Sequence, residues 1–166
     1  MTKQIEHFQY TPTKQQKSIV LLCDTLVSPA NIGAIFRLAD AFGVKELLFN
    51  QYIDLSSERL KRTARNTYKT VPFRQINDIS KEIVNFHENG YTSIALELTQ
   101  KSIPLSRAET NTNDKFLVII GNERSGITES VLNQAQEHVH IAMYGQNSSM
   151  NVAQATAIAL YQICNL

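Results

Sequence analysis

Three short stretches carry polar residues of the kinds that do chemistry. Asn31-Ile32-Gly33-Ala34-Ile35-Phe36-Arg37 places an arginine two turns into an otherwise apolar helix. A surface arginine laying its stem along apolar neighbours is the ordinary account. A cation aimed at a phosphate or a reacting hydroxyl is the functional one. Gly121-Asn122-Glu123-Arg124-Ser125-Gly126-Ile127-Thr128 has the glycine spacing and final threonine of a phosphate-binding P-loop. Ile127, however, stands where the lysine must be to reach the β/γ-phosphates. No G-x-G-x-x-G occurs in the chain, so a nucleotide triphosphatase and a standard dinucleotide fold are both disfavoured. Gly145-Gln146-Asn147-Ser148-Ser149-Met150-Asn151 packs amides and hydroxyls ahead of a helix. Alone it reads as a cap, with Ser149 or Asn151 satisfying free N–H groups. Three such loops at one sheet edge tip the balance toward a ligand site, because open α/β sheets gather ligands beyond the carboxyl ends of their strands.

The elements between these loops are legible as alternating apolar runs and amphipathic stretches. Strands are expected at 18–23, 44–49, 71–73, 92–98, 116–120 and 139–143. The run at 116–120 has no polar alternation, as a strand buried on both faces requires. Helices are expected from Ser28 (N-cap, with Pro29 at the first helical position) until Gly43, then over 78–89, 128–136 and 151–164. Ile79, Ile83, Val84 and Phe86 give the second helix an imperfect apolar face. Strands separated by helices imply parallel βαβ units, hence an α/β domain with a mostly parallel sheet flanked by helices. Residues 1–16 lack periodicity and read as a loose arm ahead of a single domain over 17–166.

Composition agrees with that frame. The chain has 166 residues, 43% of them hydrophobic and 19% charged, enough to build one domain with a real core. A net charge of +1 excludes a globally basic nucleic-acid coat but not a local basic patch. Cys23 and Cys164 lie far apart in apolar runs and read as buried thiols of a reducing compartment, not as a disulfide or zinc site. His138 and His140 alternate on one strand, while His7 and His87 are isolated; each reads as structural and none as a metal ligand. No apolar leader or membrane-length run is present, so a soluble, cytoplasmic protein is expected.

Taken together, the three stretches resemble, in order and spacing, the signature motifs of the SpoU (TrmH-like) branch of the SPOUT RNA methyltransferases. N-x-G-x-x-x-R is matched by Asn31, Gly33 and Arg37. The buried strand running into G-x-E-x-x-G is matched by residues 117–126, with Gly121, Glu123 and Gly126. I-P-M followed by S-L/M-N-V is matched by Ile141-Ala142-Met143 and Ser149-Met150-Asn151-Val152. Two departures stand out. Ala142 replaces the usual proline, and around Ala64 and Asn66 the family often shows S-x-G.

The resemblance implies a C-terminal trefoil knot, an exception to the rule against threaded chains. It implies S-adenosyl-L-methionine held in the knot loops by Leu96, Gly121, Ile141 and Ser149, with Met143 and Met150 as apolar walls. It implies methyl transfer to a ribose 2′-hydroxyl of RNA, tRNA favoured over rRNA. Arg37 would position and activate the hydroxyl, since a guanidinium is too strongly basic to act as a literal base. Asn31, Glu123, Ser149 and Asn151 would orient substrate and arginine. No metal is called for, because a sulfonium is already a good leaving group. The separate N-terminal RNA-binding domain of many relatives is expected to be absent. One small sheet has limited capacity to cover both the stripe of Ile32, Ile35, Phe36 and Ala39 on the first helix and that of Val152, Ala155, Ala159, Leu160 and Ile163 on the last, and exposed apolar stripes mark an interface. With the resemblance, which implies a dimer with a composite site, a homodimer is expected in which Arg37 of one subunit lies near Gly121 and Ser149 of the other.

RNA must also be gripped. Arg59, Lys61, Arg62, Arg65, Lys69 and Arg74 cluster with Tyr68 and Phe73, with Glu58 the one acid nearby. Such a run is ordinarily a solvated face; in an RNA enzyme, phosphate contact is the better reading. Two competing readings stand beside this one. One is a knotted RNA-binding module without catalysis; the other is a knotted enzyme methylating a base, which the N-x-G-x-x-x-R helix disfavours.

Overall fold

A computed structural model describes residues 9, 11–108 and 114–165. Most of the expected arm, and His7 with it, lies outside them. Its described end is docked rather than loose: Gln15 Nε2 donates to the Phe42 carbonyl at 3.1 Å and to Cys164 Sγ at 2.8 Å.

Among the described residues seven strands form one sheet: β1 (Ser18–Cys23), β2 (Glu46–Phe49), β3 (Phe73–Gln75), β4 (Thr92–Leu96), β5 (Ile103–Pro104), β6 (Lys115–Ile120) and β7 (Glu137–His140). Every strand pair is parallel, in the order β3-β2-β1-β6-β4-β7-β5. The chain winds outward from β1 through β2 and β3, then crosses to β4 on the other side. β6 is laid between β1 and β4, which makes the carboxyl ends of β1 and β6 the place where winding reverses and where such sheets hold ligands.

Helices cover both faces, namely α1 (Pro29–Ala41), α2 (Glu58–Ala64), α3 (Ile79–Glu88), α4 (Glu129–Leu132) and α5 (Val152–Asn165). The alternation of strand side chains sorts them. Ile19, Leu21 and Cys23 of β1 face α1 and α5, packing with Ile35, Phe36, Leu160 and Ile163. Val20 and Leu22 face α3 and α4, packing with Ile83, Phe86 and Val131. Cys23 is fully buried, and burial pushes its thiol far above the range of a reactive cysteine; Cys164 is only half-buried.

Ser28 caps α1 as its sequence predicts, its side chain accepting from the Asn31 N–H, with Pro29 in the first turn. Several boundaries move. The third strand is Phe73–Gln75, not 71–73, because it follows the register of Leu47–Phe49. β4 ends at Leu96 and β7 at His140, where Ile103 and Pro104 supply the last partners of β7; Met143 therefore lies in a loop. The expected helix over 128–136 is the single turn of α4. In α3, Val84 is 50% exposed and does not belong to the apolar face.

Helix α2 was not expected as an element. Seven residues are too short to show helical periodicity, but Ser57 caps it and tertiary contact fixes it. That contact is Gly33 of α1. A Cβ there would run into the Leu60 carbonyl and Thr63 Oγ1, so only glycine lets the two helices approach this closely. α2 ends with Arg65 and Asn66, both in the left-handed region at φ 48° and 71°. Asn66 stands near the family's S-x-G glycine, and asparagine is among the residues that best tolerate that conformation.

Candidate active site

The carboxyl ends of β4, β6 and β7 lead into three loops that enclose a cavity of about 470 Å³. Leu96, Gly121, Ile141, Met143, Ser149 and Met150, the six residues assigned from sequence to the cofactor, all line it. Glu123 and Asn151 line it as well. The volume falls within the usual range of small-molecule sites, about 300–1,000 Å³.

The glycines of the β6 loop have steric reasons. A Cβ on Gly121 would collide with the backbone of Gly126 and Ile127, and one on Gly126 with the Glu97 carboxylate. The loop closes on itself through reciprocal Asn122–Gly126 backbone bonds, both 3.0 Å. Asn122 Oδ1 accepts from the Arg124 and Ser125 N–H groups, and its Nδ2 donates to the Thr25 carbonyl at 2.7 Å. Asp24, 1% exposed at the end of β1, accepts from the Thr128 N–H at 2.8 Å and from Asn50 Nδ2 at 3.0 Å. The β6 loop is thereby fastened to β1 at both ends.

A side-chain chain then joins three elements. Asn151 Nδ2 donates to Asn31 Oδ1 at 2.9 Å, and Asn31 Nδ2 donates to Glu123 Oε1 at 2.9 Å. Glu123 also accepts from the backbone N–H of Ser28 (3.0 Å) and Val27 (3.2 Å). Asn151 Oδ1 caps α5, accepting from Ala153 N at 2.9 Å. Asn151 is therefore both a cap and a link. Burial raises the Glu123 carboxyl, but the hydrogen bonds from Asn31, Val27 and Ser28 outweigh it and hold the group below its ordinary range.

Arg37 is exposed and is not in the wall of its own chain's cavity. It lies one helical repeat beyond Gly33, on the α1 face that meets α2, and about 9 Å along the axis from Asn31 at roughly 1.5 Å per residue.

The basic stretch is divided by the structure. Arg59, Arg62, Arg65 and Lys69 are exposed on α2 and the turn after it. Lys61 pairs with Glu58 at 2.9 Å. Lys69 Nζ sits 5.8 Å from the Tyr68 ring centre. Two members leave the cluster. Arg74 is clamped bidentately by Glu82 at 2.7 and 2.6 Å and reaches Glu46 at 3.2 Å, and Phe73 packs edge-on against Phe36 at 5.2 Å. His138, His140 and His87 are taken up by Thr99, Ser102 and Ser93 hydroxyls respectively.

The sequence reading missed Asn122 and Glu97. Asn122 is a loop lock. Glu97 lines the cavity immediately beyond β4, and its position at a strand's carboxyl end was the available signal.

The chain is 24% identical over 162 residues to the tRNA (guanosine(18)-2′-O)-methyltransferase of Aquifex aeolicus, covering 98% of this chain and 76% of that protein. It spans less than two thirds of the length of several other curated relatives that it matches. Among solved structures, it superposes with TM-score 0.78 on an AdoMet-bound rRNA methyltransferase from Sinorhizobium meliloti, at 22% identity, covering 90% of this chain and 56% of that one. A structure concerned with the 2-OH methylation of C/U34 on tRNA gives TM-score 0.77 at 24% identity, covering 89% of this chain and 95% of the other. Across residues 18–161 the sequence matches the SpoU rRNA Methylase family, and the chain belongs to that family.

Proposed function

We propose that residues 17–166 form an RNA methyltransferase domain that moves a methyl group from S-adenosyl-L-methionine to a ribose 2′-hydroxyl. The observation that carries this reading is the meeting of the six cofactor-assigned residues around one cavity, beside the Asn31–Glu123–Asn151 chain. The cavity suits the cofactor chemically. Leu96, Ile141, Met143 and Met150 offer apolar walls to an adenine, and the glycine-bearing β6 loop exposes backbone groups to hydrogen-bond it. When bound, S-adenosylmethionine supplies an electrophilic methyl on a sulfonium whose departing thioether is neutral.

The chain's own residues do the rest. Arg37 presents a permanently charged guanidinium to the ribose hydroxyl, holding it in line and stabilising the negative charge on its oxygen as the hydroxyl proton passes to solvent. The Asn31–Glu123–Asn151 chain fixes α1, and so Arg37, relative to the cofactor loops. Ser149, exposed in the cavity lining, helps to orient the substrate. Arg59, Arg62, Arg65 and Lys69, with Lys61 behind them, contact RNA phosphates. The loops after β4, β6 and β7 belong to the trefoil knot of this family.

The substrate is tRNA in preference to rRNA, a reading that the tRNA-acting relative from Aquifex aeolicus supports. The working unit is a cytoplasmic homodimer. Among the described residues no helix is long and apolar enough to cross a membrane. The test is incubation with methyl-labelled S-adenosylmethionine and RNA from cells lacking the gene, followed by nuclease mapping. Label in one 2′-O-methylated tRNA nucleotide is expected. Cofactor binding without label in tRNA or rRNA would overturn catalysis and leave an RNA-binding module.

A further inference from the structure

We infer that Glu97 reads the ribose of the cofactor, its carboxylate accepting hydrogen bonds from the adenosyl 2′,3′-diol; this rests on the cofactor reading above. Glu97 is half-buried and lines the cavity between Leu96 and the β6 loop. Two backbone groups hold its carboxylate in place. Leu98 N donates to Oε1 at 2.9 Å, and Ile127 N donates to Oε2 at 3.3 Å. An ionised carboxylate accepts at roughly four lone-pair sites. These bonds take one site on each oxygen and leave one on each.

That remainder suits a vicinal diol. Two adjacent hydroxyls present two donors side by side, and a fixed carboxylate answers with two acceptors, the same solution that dinucleotide-binding folds use for an adenosine ribose. Hydrogen bonds to an ionised acceptor are about twice as strong as neutral ones. The Glu97 side chain also cannot retreat toward the β6 loop. Gly126 packs against its carboxylate so closely that a Cβ there would overlap Oε2. A surface glutamate with only a solubility role would have neither the backbone clamps nor a place in the cavity wall.

The inference predicts a dependence on the diol that a loop-supporting glutamate would not create. Calorimetric titration would compare S-adenosylhomocysteine with its 2′-deoxyribose counterpart, on wild type, Glu97→Ala and Glu97→Gln, with folding checked by circular dichroism. Wild type should bind the ribose form about tenfold more tightly, as expected for loss of a charge-assisted hydrogen bond. Glu97→Ala should bind both ligands equally and weakly. Glu97→Gln keeps one accepting oxygen and should show a reduced preference; it carries the test if the alanine variant does not fold. An equal loss of affinity for both ligands in Glu97→Ala, with the wild-type preference retained, would assign Glu97 to loop support and overturn the inference. Unchanged affinities would do the same. Wild type binding neither ligand would instead remove the cofactor reading itself, and this inference with it.

Discussion

Asn31 on α1 and Glu123 in the β6 loop stand 92 residues apart in the chain and share a 2.9 Å hydrogen bond. The same carboxylate accepts from the N–H groups of Val27 and Ser28, so it grips both the segment leading into α1 and the helix itself. A motif residue of the first loop and one of the second are thus parts of one joint. The joint ties α1, the helix that carries Arg37, to the loop that lines the cavity.

Arg37→Ala should abolish methyl transfer while leaving S-adenosylhomocysteine affinity within about twofold, as expected of an interaction made only with the reacting hydroxyl. The residue is exposed and outside the cavity wall, so its loss disturbs neither the core nor the cofactor loops. Turnover and affinity measured side by side decide it; near-normal turnover would reassign the catalytic role.

Glu123→Gln tests the joint through pH. A carboxyl held below its ordinary range in the folded state contributes stability that is fully present above the unfolded value, about 4.3. That stability is lost as pH falls through the folded value. The substitution keeps one accepting oxygen but turns an amide NH2 toward a backbone N–H. It should cost on the order of 1 kcal/mol at neutral pH, limited by solvent screening at this partly exposed site. The gap between wild type and variant in thermal midpoint should be constant from pH 7 to about 5 and narrow below pH 4. A gap independent of pH would separate Glu123's role from its charge.

The sequence spoke most clearly where a residue had a single physical reason. The buried run of β6, the Ser28-Pro29 start of α1 and the three motif loops were all readable because burial, capping and backbone approach each leave a local mark. α2 left none. Its seven residues show no period, and it exists because Gly33 lets it dock. The basic cluster was overcounted for a related reason: composition could not reveal that Glu82 and Glu46, distant in sequence, neutralise Arg74. Nor could it show that Asn31, Glu123 and Asn151 touch one another rather than merely face one ligand. Long-range pairing is a property of the fold.

Gly33→Ala should separate α1 from α2. The added methyl meets a backbone carbonyl at Leu60, which cannot swing away as a side chain could. Overpacking of this kind costs about 1–3 kcal/mol. A lower thermal midpoint is expected, together with weakened RNA binding because α2 carries the basic face. Ser in place of Gly33 should behave like Ala. An unchanged midpoint would mean that the helices accommodate the methyl by sliding.

Arg62→Ala combined with Arg65→Ala should weaken RNA binding and flatten its salt dependence by about one unit of slope per lost phosphate contact. Both side chains are exposed, whereas Lys61 is engaged by Glu58 and Arg74 is held by two acids. Arg74→Ala should therefore act on stability and leave the slope alone. Binding measured across a salt series distinguishes the pair, and an unchanged slope in the double variant would return α2 to a merely solvated face.

A dimer of this chain would meet through a narrower surface than the two apolar helix stripes of the sequence suggest. The apolar stripe of α1 is covered by the chain itself, with Ile32, Ile35, Phe36 and Ala39 all buried. On α5, Ala159, Leu160 and Ile163 are buried as well, and Val152 and Ala155 line the cavity. What remains open on α5 is a narrower stripe that includes Ile158 at 42% and Tyr161 at 63% exposure, one helical turn apart. Val27, just ahead of α1, is 61% exposed. Ile158 and Tyr161 are the residues a second copy packed on α5 would cover, and exposed apolar patches mark such contacts. A two-fold arrangement through α5 would also account for Arg37 standing outside its own cavity wall, since the partner's cavity could then receive it. Light scattering should give about twice 18.7 kDa. Ile158→Asp with Tyr161→Asp should yield a folded monomer that binds cofactor but no longer methylates. Mixing Arg37→Ala chains with chains carrying a bulky Ser149→Trp should restore part of the activity, because one of the two sites in a mixed dimer would be whole. A folded, fully active Ile158→Asp/Tyr161→Asp monomer would place the complete site within one chain.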